Sequence, residues 1–169
     1  MTVTVKGGDR LKYFLENLKK QQSKLDVGFF PESKYADGKQ VAQVAIDNEF
    51  GHINDNGSIV PPRPFLHPTY LEQKSKWLEV LQKSIKNQGE SISVKKSLED
   101  VGFVAQQDVQ DKIDWWASSG IPRNAPATIR MKAGSRHGEK EESGRAVGDS
   151  PLIWSGHMRE SVEFKVTSK

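Results

Sequence analysis

Glu49 and His52 lie three residues apart beside Asp47, a spacing that lets a carboxylate and an imidazole share one face of a helix. Two carboxylates and an imidazole so grouped could hold a divalent metal or exchange a proton, which is the chemistry of a small metal-dependent nuclease. The same trio also suits a solvated helix end, since charged side chains mostly stay in water. The other histidines, His67, His137 and His157, show no H-x-x-x-H or H-E-x-x-H spacing, so the usual zinc patterns are missing.

Nucleophilic chemistry finds no better footing. The chain has 0 cysteines, which excludes disulfides, zinc thiolates, iron-sulfur clusters and thiol nucleophiles together. It has no G-x-S-x-G turn, no phosphate-binding loop and no dinucleotide-binding glycine pattern. Ser155-Gly156 and Ser118-Ser119-Gly120 read as turns without an oriented base. The expectation is a protein that is not an enzyme and needs no cofactor and no metal.

Charge points the same way. With 25 basic and 22 acidic residues the net charge is +3, mild and mixed rather than the footprint of a dedicated DNA reader. Arg123, Arg130, Lys132, Arg136, Lys140 and Arg145 cluster late in the chain, but Glu139, Glu141, Glu142 and Asp149 stand among them. Acids so close cancel much of the attraction to phosphate. This stretch, about 131–149, reads as a long flexible loop or arm that orders on a neighbouring subunit or lines a DNA-containing lumen.

The elements that position these groups follow from periodicity. Met1–Lys6 alternates as a short strand and lacks the layout of an export signal. Leu11, Phe14, Leu15 and Leu18 are spaced as a helix capped by Asp9. Leu25–Pro31 alternates as a half-buried strand, and a second helix is expected from about Lys39 to Phe50 with Val41, Ala42, Ala45, Ile46 and Phe50 on one side. His52–Ile59 reads as a turn-rich loop. Pro61, Pro62 and Pro64 then force an extended ramp, and Pro68 is tolerated in the first turn of a helix reaching about Asn87.

Gly89 ends that helix, Ser91 can cap the next, and Val94, Leu98, Val101, Ala105, Val109, Ile113 and Trp116 recur every three or four residues to about Ala117. This is the predicted core helix. Gly102 and Ala105 near its apolar face leave room for another backbone. Trp116 continues the buried stripe, while Trp115 falls off it and is either a rim residue or an anchor for a subunit contact. Ser118–Ser150 shows no periodicity, and Ser161–Val166 alternates as a last strand. At 169 residues, 35% hydrophobic and a mean hydropathy of -0.66, the chain suits one domain, residues 1–169, with a polar excursion. The predicted class is α+β: a small antiparallel or mixed sheet packed against two long helices. No window approaches the roughly 18 apolar residues of a membrane helix.

Five ordered motifs then combine: Val27-Gly28-Phe29-Phe30; Val41-Ala42-x-x-Ala45-x-x-Asn48-Glu49-Phe50-Gly51; Pro61-Pro62-Arg63-Pro64-Phe65-Leu66; Asn124-Ala125-Pro126-x-Thr128-Ile129; and Pro151-Leu152-Ile153-x-Ser155-Gly156-x-Met158-x-x-Ser161-Val162. Together they resemble the tail-completion or neck proteins of long-tailed bacteriophages, minor tail components encoded between the head-tail connector and tail-tube genes. The stretch from Met131 to Asp149 is longer than the usual link in that family. The resemblance implies a virion protein, made in the host cytoplasm, that assembles with itself into a ring, a hexamer or a dodecamer. Such a ring meets connector, tail-terminator or tail-tube neighbours and surrounds packaged DNA. Candidate subunit contacts are Phe50, His52, Arg63, Phe65 and Trp115, and the candidates for the arm or lumen are Arg130, Lys132, Arg136, Lys140 and Arg145. A head-tail adaptor touching DNA directly and the metal-dependent nuclease are the competing readings.

Overall fold

Alternation between Ser23 and Gly28 builds β1, and the matching alternation at the other end of the chain builds β4, Glu163–Ser168. The two pair antiparallel, with Leu25 opposite Val166 and Val27 opposite Phe164. A computed structural model of the chain describes residues 16, 22–89, 92–119, 123–135, 151–152 and 156–168. The expected Met1–Lys6 strand, the Leu11–Leu18 helix apart from Glu16, the Ser91 cap and the arm beyond Ser135 lie outside the described residues.

Between the paired strands come α1 (Val41–Phe50), a ribbon of β2 (His52–Ile53) and β3 (Ile59–Val60), α2 (Leu66–Asn87), α3 (Val94–Ser119), α4 (Pro126–Ser135) and the short α5 (His157–Glu160). The class is α+β, two long helices against small antiparallel strand pairs. Helix α3 is the central element, packing on β1 and β4 along one side and on α2 along another. Its buried positions Val101, Ala105, Val109, Ile113 and Ala117 repeat every four residues, so one stripe faces the interior. Val41, Ala45, Phe65, Met158 and Val162 close over Val109 and Ile113 to form the core. Burying a side chain such as Ile113 contributes about 1.5–3 kcal/mol.

Gly102 does not admit another backbone, as its small size suggested. A Cβ there would collide with the ring of Phe164 and lie 2.9 Å from a Leu25 methyl, so the space belongs to side chains of the β1–β4 pair. Helices α2 and α3 meet through polar contacts instead. Ser84 Oγ donates to Asp100, Gln88 Nε2 donates to Ser97 Oγ at 2.7 Å, and Trp77 Nε1 donates to Asp108 at 2.7 Å. Gly89, with φ +63, turns the chain out of α2, and Ser93 Oγ accepts the Lys96 amide at 3.3 Å to start α3.

Two expectations change. His52–Ile59 is not a plain loop, because His52 pairs with Val60 and Ile53 with Ile59. Residues Pro126–Ser135 form α4, where no periodicity had marked a helix. Its apolar residues do not gather on one face, so a pattern search passes over it; Pro126 at the first helical position was the available signal. The first residues of the stretch read as an arm, Met131–Ser135, therefore belong to α4.

Candidate functional site

The site is built at the end of α1. Val41, Ala45 and Glu49 are its buried residues, so a carboxylate takes the third position of a core-facing stripe. Ile46 and Phe50, expected on that side, are exposed instead. At 100° per residue they fall on the far side of the helix from Val41, which the short segment left ambiguous in sequence.

Glu49 faces the start of α2. One carboxylate oxygen accepts the amides of Phe65 and Leu66 at 2.7 and 2.9 Å, and the other accepts the His67 amide at 3.0 Å. The next residue, Pro68, has no amide hydrogen to satisfy. The donors that every helix start leaves without an intrahelical partner are thus all met by one side chain from another element. Burying a carboxylate costs several kcal/mol, but each hydrogen bond to a charged group contributes about 1.5–3 kcal/mol and the helix dipole favours the negative charge. Three bonds together make the arrangement favourable.

The proline ramp is fastened at each step. The Arg63 amide donates to the Asn48 carbonyl at 2.7 Å, and Trp116 Nε1 donates to the Pro64 carbonyl at 2.7 Å. Phe65 is fully buried and meets Phe29 edge to face at 6.0 Å. Arg63 is 5% exposed, its Nη2 donating to the Arg123 carbonyl at 3.3 Å, and burial lowers the guanidinium's pKa. Neither Arg63 nor Phe65 offers surface to a neighbour, which corrects their reading as subunit contacts. Phe65 is packed in the core and Arg63 lines a cavity at the foot of the ramp, so both hold the ramp from within the chain.

Gly51 closes the arrangement. Its φ is +72, and a Cβ would lie 2.6 Å from the Val60 carbonyl oxygen and 2.8 Å from the Pro62 nitrogen. Only glycine lets the end of α1 turn against the ramp this closely. From that turn the β2–β3 ribbon projects. Its tip is tied by Asn54 N to Ser58 O at 2.9 Å, Gly57 N to Asn54 O at 2.8 Å and Asn54 Nδ2 to Ser58 Oγ at 2.8 Å. His52 Nε2 reaches Asn54 Oδ1 at 3.2 Å, and its Nδ1 lies 3.4 Å from the Asp47 carbonyl.

The metal reading of Asp47, Glu49 and His52 loses its geometry here. Glu49 is turned inward to amides, and His52 is turned to Asn54 and to a backbone carbonyl. Among the described residues no group of three or more His, Asp or Glu is placed to hold a metal ion.

Beside its polar tip the ribbon presents two large apolar side chains to solvent. Ile53 and Ile59 sit opposite each other, 71% and 76% exposed, and Phe50 at the root is 75% exposed. Trp115 is also exposed, packed edge to face on Trp116 at 5.0 Å, with Lys112 over its ring and paired to Glu72 at 2.8 Å. Of the arm and lumen candidates, Arg130 is exposed on α4 and Lys132 is buried, while Arg136, Lys140 and Arg145 lie outside the described residues. Sequence reasoning missed the Glu49 clamp and the Ile53–Ile59 pair. The signal for the first was a carboxylate in register with Val41 and Ala45, followed by a proline three residues past Phe65.

Comparison of the chain with known protein families, with curated proteins and with solved structures returned no match.

Proposed function

We propose that the chain is a non-enzymatic structural protein of the virion, which forms a ring in the neck or tail terminus of a long-tailed phage and completes the tail or joins it to the head. The observation that carries this reading is the Ile53–Ile59 pair on the β2–β3 ribbon, with Phe50 at its root. Leaving a large apolar side chain in water forgoes about 1.5–3 kcal/mol of burial, and contact with a second copy recovers it. The clamp of Glu49, Gly51 and the ramp sets the ribbon before assembly, so little ordering entropy remains to be lost on contact.

A knob on one surface that meets a different surface of the next copy makes a heterologous contact, and such contacts close into rings when the rotation between copies permits. The motifs that resemble tail-completion proteins, Asn48 to Gly51 and Pro61 to Leu66, are the residues that make the clamp. The ring is a hexamer or a dodecamer, its neighbours are connector, tail-terminator or tail-tube proteins, and exposed Arg130 supplies diffuse positive charge toward packaged DNA.

Negative-stain imaging and sedimentation of the purified protein test the reading. Closed rings are expected, and the double substitution Ile53→Asp with Ile59→Asp should leave monomers with an unchanged circular dichroism spectrum. A monomeric wild-type protein that cleaves DNA only with divalent metal would overturn it in favour of the nuclease.

A further inference from the structure

Helix α2 meets α3 through its polar residues, Ser84 with Asp100, Gln88 with Ser97, and Lys76 and Trp77 with Asp108. Of the whole helix only Leu66, at its start, packs against the core cluster. Its remaining apolar residues Leu71, Leu78, Leu81 and Ile85, with Lys74 among them, recur at steps of 3, 4, 3 and 4, the period of a seam between two helices. At 100° per residue that stripe lies about a quarter turn from Trp77 and Ser84, which face α3. Leu71 is 49% and Leu78 58% exposed, and Leu81 and Ile85 are half-buried. Among the described elements, α3 is the one on which α2 packs extensively.

The chain carries a segment that matches the stripe. Leu11, Phe14, Leu15 and Leu18 fall at i, i+3, i+4 and i+7, an apolar stripe two turns long. Glu16, the one described residue of that segment, is helical and exposed, and the 100° step puts it opposite the four apolar residues. From Leu11 to Leu18 is seven steps, about 10 Å of helix, and from Leu78 to Ile85 is the same. Lys74 bounds the run on the other side.

The connection is short and leaves in the right direction. Leu25 of β1 lies beside Gly102, and Phe29 lies on Phe65, which shares the core cluster with Val109 and Ile113, so β1 runs along α3 toward its C-terminal half. Its first residue, Ser23, therefore lies toward the α2–α3 turn, where Gln88 meets Ser97 one turn beyond Ile85. The five steps from Leu18 to Ser23 reach up to about 17 Å, more than the roughly 8–10 Å between the axes of packed helices. A tether of this length sets an effective concentration in about the millimolar range, far above that of a second copy at micromolar protein.

We infer that the Leu11–Leu18 segment docks as a helix on the Leu78, Leu81 and Ile85 face of α2 in its own chain, laying its four apolar residues on that stripe and keeping Glu16 in water. The docking is independent of the ring reading, since the ribbon takes no part in it.

Cross-linking tests the placement, and with 0 native cysteines an engineered pair reports without background. Full-length protein carrying Leu15→Cys and Leu78→Cys, treated with a short bismaleimide at micromolar concentration, should give a monomer in which mass spectrometry finds the two positions joined. Leu15→Cys with Ile53→Cys should give no such monomer. Hydrogen exchange supplies a second readout on a variant whose exposed position spares the fold: Leu78→Asp should speed exchange of the Leu11–Leu18 amides about tenfold and leave the β1 and β4 amides unchanged. Joining of positions 15 and 78 only between chains, which would make a second copy the occupant, would overturn the inference. So would no joining at all, or exchange of the segment that Leu78→Asp leaves unchanged.

Discussion

The Glu49 carboxylate and the Phe65 amide are 2.7 Å apart, joining positions sixteen residues apart in sequence. This bond and its two companions to Leu66 and His67 couple the end of one helix to the start of the next. Glu49→Ala leaves three inward-facing amides without their acceptor and should destabilise the fold by about 3 kcal/mol or more. Glu49→Gln keeps one acceptor oxygen but turns an amino group toward a donor, and should cost about 1.5–3 kcal/mol. Urea unfolding midpoints measure both, and equal stability of Glu49→Ala and wild type would refute the clamp.

Two glycines of the ribbon separate backbone strain from collision. Gly51 and Gly57 have φ of +72 and +78, but only at Gly51 would a Cβ strike backbone. Gly57→Ala should cost about 1–2 kcal/mol, the price of a left-handed alanine. Gly51→Ala adds an overlap with the Val60 carbonyl and should cost about 3 kcal/mol or more. Thermal melts of the two variants side by side check the order.

Gly102 sets helix propensity against packing. Alanine in a helix interior is favoured over glycine by about 1 kcal/mol, whereas overpacking a core costs about 1–3 kcal/mol. The Phe164 ring lies in the way, so Gly102→Ala should be net destabilising. Adding Phe164→Leu should recover part of the loss, a coupling that a double-mutant cycle reads directly.

Tyr35 gives a pH dependence with a definite sign. Burial, and then the nearby charge of Asp37, raise its pKa above 10.0. The folded state therefore holds the phenolic proton more tightly than the unfolded chain does. The stability this represents is fully present below pH 10 and is lost as pH rises through the folded value. Ultraviolet titration should show a late-ionising component that Tyr35→Phe removes, and a titration that Tyr35→Phe leaves unchanged at its late end would contradict it.

Much of the frame was legible in the residues. The apolar stripe from Val94 to Trp116, the alternation of the β1 and β4 segments and the prolines of the ramp each act through local geometry, and each produced the expected element, although Ala117 rather than Trp116 is the buried residue at the end of α3. The position of Pro68 and the end of α2 at Asn87 followed from the same reasoning. The candidate site was less legible. Arg63 and Phe65 are buried where they had been read as surface, because a charged and an aromatic side chain beside prolines carry no local mark of which way the ramp faces.

By itself, then, the amino-acid sequence determined the helices with a sustained apolar stripe, the alternating strands and the stiff approach to α2. Those depend on dihedral preferences and on periodicity within a few residues. Only the tertiary structure decided that Glu49 caps a helix it does not belong to, that Ile53 and Ile59 stand side by side in solvent, and that Arg63 and Lys132 converge on one cavity. The first and last of these join residues well separated along the chain, and the exposure of the Ile53–Ile59 pair depends on where the rest of the fold leaves the ribbon, so none is written in local geometry.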